Sequence, residues 1–206
     1  MKYIELIYKL DSHIIFSTQD VLIFDNDFDR RRLNEWQSKG YIKKIIKGYY
    51  IFSNKNIDEY ILFLAANKIY SPSYVSLETA LSFYNIIPEI VPTITSITTK
   101  KTNHFETHLG VFYYHSIKEN LFTGYKLIQV KEMPLKIASL EKSIIDYFYI
   151  HPEINSKEIF NELRWDTDII LKEMNKVKFK RLMSLFSNSL KKRIFNCLNL
   201  ENYAGI

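Results

Sequence analysis

Three consecutive arginines, Arg30-Arg31-Arg32, are followed at short range by Asn34, Ser38, Lys39, Lys43, Lys44 and Lys47. Arginine pairs bidentately with a guanine edge and asparagine with adenine, while lysine meets phosphate as a point charge. Between residues 30 and 47 seven basic side chains stand against one acid, Glu35, a local balance of +6 that suits a phosphate backbone. If Leu33 and Trp36 face inward on a helix, a turn of about 100° per residue points Arg31, Asn34, Glu35 and Ser38 outward. Arg31, Asn34 and Ser38 are the base-edge candidates. Arg30, Arg32, Lys39, Lys43, Lys44 and Lys47 complete the expected DNA-binding set. The competing account is an ordinary solvated helix face.

Two other constellations could do chemistry. On a strand, His104, Glu106 and His108 would share one face, with His115 on the next strand, and two histidines plus a carboxylate can ligate catalytic zinc. Alternate residues of a strand lie about 7 Å apart, too far to share an ion without distortion, so a polar sheet face is expected and no metal. Glu141, Lys142 and Asp146, with Glu78, suggest magnesium-dependent nuclease chemistry, but they also read as first-turn acids and amphipathic helix positions. Neither a glycine-rich phosphate loop nor a nucleophile motif is present. Binding, not catalysis, is the expected chemistry, with no cofactor.

The elements that would carry these residues follow from periodicity and caps. Helices are predicted at Tyr3–Leu10, at Thr18–Phe24 after a Ser17 cap, and at Phe28–Lys39 ended by Gly40. Tyr41–Ile46 and Tyr49–Phe52 then read as strands joined by Lys47-Gly48. That order is the order of a winged helix-turn-helix over residues 1–55. In residues 56–206, Asn56 can cap a helix over Ile57–Ile69, Ser76 one over Leu77–Ile86, and Ser139 one ending at Ile150. Four strands, Ile94–Thr99, His104–His108, Val111–His115 and Leu127–Val130, suggest a small, mainly antiparallel sheet. Further helices are predicted at Lys157–Leu163 and Thr167–Asn175, and Lys178–Leu200 forms one long helix or two broken near Ser187-Asn188-Ser189. The fold class is α+β: the winged helix-turn-helix, then a mixed α/β C-terminal domain closed by helices.

Length and composition bound the rest. The chain has 206 residues, enough for one compact domain or two small ones. Aromatics are abundant (14 Phe, 15 Tyr, 2 Trp) against 5 Gly and 5 Pro, which excludes disorder and collagen. One cysteine, Cys197, permits neither an internal disulfide nor a cysteine zinc site and suits a reducing cytoplasm. The N-terminus does not read as a signal peptide, and the longest apolar run, Ile61–Ala66, is far short of the roughly 18 residues of a membrane span, so no membrane partner is expected. A net charge of +5 and a pI near 9.0 suggest a polyanionic partner. Residues 172–193 carry eight basic side chains against Glu173 alone, a second balance of +7.

Several stretches together resemble the AbiEi-type abortive-infection antitoxins, the transcriptional-regulator half of type IV toxin–antitoxin systems. They are Arg32-Leu33 with Lys39-Gly40-Tyr41-Ile42 and Lys47-Gly48-Tyr49-Tyr50; Pro72 through Leu81 (PSYVSLETAL); Thr98-Thr99-Lys100-Lys101; and Ile137 through Asp146 (IASLEKSIID). Leu140 stands where family members often have proline and Ser143 where they often have alanine. The resemblance implies a repressor that binds double-stranded DNA in its own promoter, at inverted repeats. It also implies a C-terminal domain that opposes a nucleotidyltransferase-like toxin, with or without a stable complex. Lys176, Lys180, Arg181, Lys191, Lys192 and Arg193 are the candidate antitoxin surface. The alternative is a nuclease or other nucleic-acid enzyme targeted by the winged helix.

Overall fold

Ser17 ends a strand and starts a helix in one step. Its hydroxyl accepts the Asp20 amide at 3.1 Å while the Asp20 carboxylate accepts the Ser17 amide at 2.6 Å, a capping box that sets the helix start. The structure, a computed structural model, describes residues 1–10, 13–88 and 92–200. Its first elements are α1 (Tyr3–Lys9), β1 (Ile15–Ser17), α2 (Thr18–Phe24), α3 (Arg31–Ser38), β2 (Ile42–Ile46) and β3 (Tyr49–Phe52). The strands form an antiparallel sheet in the order β1-β3-β2.

This small sheet is buried on both faces, and strand alternation divides its side chains. Phe16, Ile42, Tyr50 and Phe52 join Leu6, Leu10, Val21, Phe28, Leu33 and Trp36 of the helical side in one cluster. Ile15, Ile45 and Ile51 belong instead to the large core, together with Ile61, Phe63 and Leu64 of α4 (Glu59–Ile69). That helix starts at Glu59 because Asp58, not Asn56, accepts the Ile61 amide, at 2.9 Å. Likewise α3 starts at Arg31 instead of Phe28, since Phe28 is buried against Trp36 and the Asp29 carboxylate accepts the Arg31 amide. Gly40, at φ 71°, supplies the expected left-handed stop.

The rest of the chain builds β4 (Ser73–Val75), α5 (Leu77–Phe83), β5 (Thr93–Thr98), β6 (Asn103–Thr107), β7 (Gly110–Ser116), β8 (Tyr125–Val130) and β9 (Met133–Ala138). Helices α6 (Leu140–Ile150), α7 (Lys157–Glu162), α8 (Thr167–Glu173), α9 (Lys176–Met183) and α10 (Asn188–Cys197) follow. The class is α+β. The expected small, mainly antiparallel sheet is corrected to six strands of mixed direction, β6-β7-β5-β4-β9-β8, in which β4 pairs parallel with β9 and β5 parallel with β7. The unpredicted strands escape the sequence for physical reasons. β4 has three residues, and Pro134 interrupts β9. β9 tolerates that proline because its pairing with β4 is confined to Val75 and Ile137, so Pro134 lies where that side of the strand is open.

Residues 176–197 form two helices. Asn175 accepts the Lys178 amide and Ser187 the Leu190 amide, giving each a cap of its own. Among the described residues no helix is long and apolar enough to cross a membrane.

Candidate nucleic-acid interface

Leu33 and Trp36 hold α3 on the small core, which leaves its opposite side in solvent. Arg31 points into solvent, its side chain 90% exposed. The Asp29 carboxylate receives its Nε at 3.0 Å and pairs with its Nη2 at 2.9 Å, which orients the guanidinium and holds the Asp29 carboxyl below the usual carboxylate range. Asn34 is exposed one turn along; Ser38 is also exposed, but its hydroxyl donates to the Asn34 carbonyl. Arg30 occupies the N-cap position, exposed. Arg32 reaches across to the Met1 carbonyl at 2.7 Å, so it also ties α3 to the start of the chain. Lys39 pairs with Glu35 one turn back, at 2.6 Å.

The β2–β3 hairpin packs beside α3. Lys43 and Lys44 are neighbours on β2 and both exposed, and a bulge follows between Lys44 and Ile46. Lys44 pairs with Tyr50 and leaves the sheet on the helical side, whereas Lys43 pairs with Ile51 and leaves on the other. Lys43 therefore lines a crevice with His108 and Leu109 from the turn between β6 and β7. Lys44 and Lys47 remain the outward cations of the hairpin.

At the other end, Lys176, Lys180, Arg181 and Lys192 are exposed and Lys191 is half-buried. Arg193 does not belong to that surface. Its Nη1 donates to the Pro152 carbonyl at 2.6 Å and its Nη2 to the Phe148 carbonyl, closing the C-terminus of α6, where unpaired carbonyls and the helix dipole favour a cation.

Of the two enzyme-like constellations, the first is spread over β6 and the turn after it, and the second is largely buried on α6. His108 lies beyond the end of β6, hydrogen-bonded to the Lys44 backbone, and burial with the nearby Lys43 charge pushes its pKa down. It does not share the face of His104, whose ring stacks on Tyr113 across the strand pair. Lys142 and Asp146, read from the sequence as amphipathic helix positions, are fully buried and ion-paired one turn apart on α6. Tyr74 and Ser76 donate hydroxyls to Asp146 at 2.9 and 2.8 Å, and the Lys142 ammonium sits over the Tyr74 and Phe186 rings. Burial raises the Asp146 carboxyl and the pair with Lys142 opposes it. Ser76 spends its hydroxyl on Asp146 and makes no side-chain cap on α5, which corrects the expected capping role. Gly124 is needed here, since a Cβ would lie 2.9 Å from Leu182 and 3.1 Å from Lys142. Sequence spacing exposes the i,i+4 pair but not its burial, which depends on Tyr74 and Ser76 some seventy residues away.

The architecture defines an α+β protein with a small antiparallel sheet, a larger mixed sheet and flanking helices. No family model and no curated protein matches the sequence. Among solved structures the RV2827C protein from Mycobacterium tuberculosis is similar, with a TM-score of 0.58 over 94% of this chain and 75% of that one. Identity between them is 12%, so the likeness is one of fold.

Proposed function

We propose that residues 1–55 are a winged helix that reads double-stranded DNA, with α3 as the recognition helix and the β2–β3 hairpin as the wing. One observation carries this reading: Arg30 and Arg31 stand exposed at the N-terminal end of α3, where cations oppose the helix dipole. Helix stability does not account for them; an approaching phosphate backbone does. Arg31 and Asn34 face bases, and Arg30, Lys44 and Lys47 face phosphates. Ser38, Arg32, Lys39 and Lys43 have partners or directions of their own and contribute less.

The resemblance to AbiEi antitoxins extends the reading. The chain is then an autorepressor acting in the cytoplasm on inverted repeats of its own promoter, and its remaining residues oppose a nucleotidyltransferase-like toxin. The nuclease alternative is weakened by the sealing of Lys142 and Asp146 in the core, away from any substrate. Single-turnover assays with magnesium are expected to show no cleavage.

Mobility shifts on the promoter of this gene test the DNA reading. Arg31→Ala should relax base preference by about tenfold to a hundredfold. Lys44→Ala or Lys47→Ala should weaken all sequences alike and lower the salt slope by about one. A folded Arg31→Ala variant with unchanged affinity and preference overturns the assignment of α3.

A further inference from the structure

The second basic stretch does not present a plain cationic face. Between α9 and α10 lies a groove of about 500 Å³, a volume typical of ligand clefts. Its floor is Met174, Phe179, Met183 and Phe195, and its lip is Val177, which is 81% exposed. Lys176, Lys180 and Lys191 line it as well, and no carboxylate is among its described lining residues. The α9 residues involved recur at spacings of three and four, so one helix face forms a wall, and Lys191 and Phe195 of α10 form the facing one.

Nucleic acid alone would use the lysines and leave the apolar floor idle, whereas a fatty or aromatic anchor alone would make no use of Lys180 and Lys191. A chain with apolar residues on one stripe and acids beside it uses both. We infer that this groove is a docking site for an acidic amphipathic helix of a protein partner, apolar side down on Phe179 and Met183 and carboxylates against Lys180 and Lys191. The identification of that partner with the toxin rests on the reading above; the groove and its chemistry do not.

The test uses the full chain and a fluorescein-labelled helical peptide with leucines at spacings of three and four and glutamates elsewhere, followed by fluorescence anisotropy. Saturable binding is expected, at least about tenfold weaker for the same peptide with lysine in place of glutamate. Val177→Asp and the Lys180→Glu/Lys191→Glu pair should each lower affinity by about tenfold, and because Val177 is exposed its variant leaves the fold intact. Equal binding of the two peptides, indifference to these substitutions, or displacement of the peptide by duplex DNA overturns the inference. So does binding that arises only when the chain is cut after residue 200, which would make residues 201–206 the natural occupant. Operator binding measured on the same variants separates the two ideas, since it should not change when peptide binding is lost.

Discussion

Removing the Asp146 carboxylate would leave the Lys142 ammonium without its counter-ion in a site that excludes water. Asp146→Ala should therefore cost about 3–5 kcal/mol in urea unfolding, and Lys142→Met/Asp146→Leu together much less, because the desolvation of both charges is then also relieved. A second titrating residue sits at the end of α6. His151 faces the Glu78 carboxylate at 3.5 Å and the Glu153 carboxylate at 2.8 Å, and these hydrogen bonds, the one to Glu78 foremost, raise its pKa against the effect of burial. A raised histidine pKa stabilises the fold while the residue is protonated. The contribution is full below the unfolded value of about 6.5 and is lost as pH rises through the higher folded value. Thermal melts across that window should fall for the wild type and fall less for His151→Gln.

Elements were legible in the sequence where their signals are local. The Ser17 cap, the Gly40 stop and the helix starts at Lys157 and Thr167 rest on neighbours within a few residues, and all are found where the spacing puts them. The strands β4 and β9 were not, since one is three residues long and held by β5 more than twenty residues on, and the other, though it closes a hairpin with β8, contains proline. The exposed side of α3 was legible for the same reason: helix periodicity places Arg31 and Asn34 outward without any tertiary information. Arg193 was not, because its carbonyl partners lie more than forty residues back on and just after α6. Arg193→Ala should destabilise the protein by about 1–3 kcal/mol, read by denaturant midpoint, and leave operator affinity and its salt dependence unchanged. The groove between α9 and α10 lay hidden in a pattern that looks like any amphipathic helix pair; the extra signal is Val177, an aliphatic residue among lysines.

Across the whole molecule the two cationic regions, α3 with its hairpin and α9 with α10, sit in separate parts of the chain, and the proposed functions should be separable in the same way. Reversing the charge of Lys180, Arg181, Lys191 and Lys192 should abolish rescue of growth from the cognate toxin while operator binding stays nearly unchanged. Arg31→Ala should derepress the promoter yet still rescue when expressed independently. A folded charge-reversal variant that rescues like wild type would move the antitoxin determinant away from α9 and α10.

The two buried faces of the small sheet limit how such a chain can be recombined. Its three strands close the helical cluster on one side and supply Ile15, Ile45 and Ile51 to the larger core on the other. A gene fusion that kept residues 1–55 and discarded the rest would inherit a sticky back, three isoleucines wide, along with α3 and its hairpin. Such a fragment should aggregate unless its new neighbour supplied an apolar helix to replace α4, and mutating Ile15, Ile45 and Ile51 to polar residues should restore its solubility. Carrying α4 along moves the problem instead of removing it, since that helix is itself buried against β4 and β9 of the larger sheet.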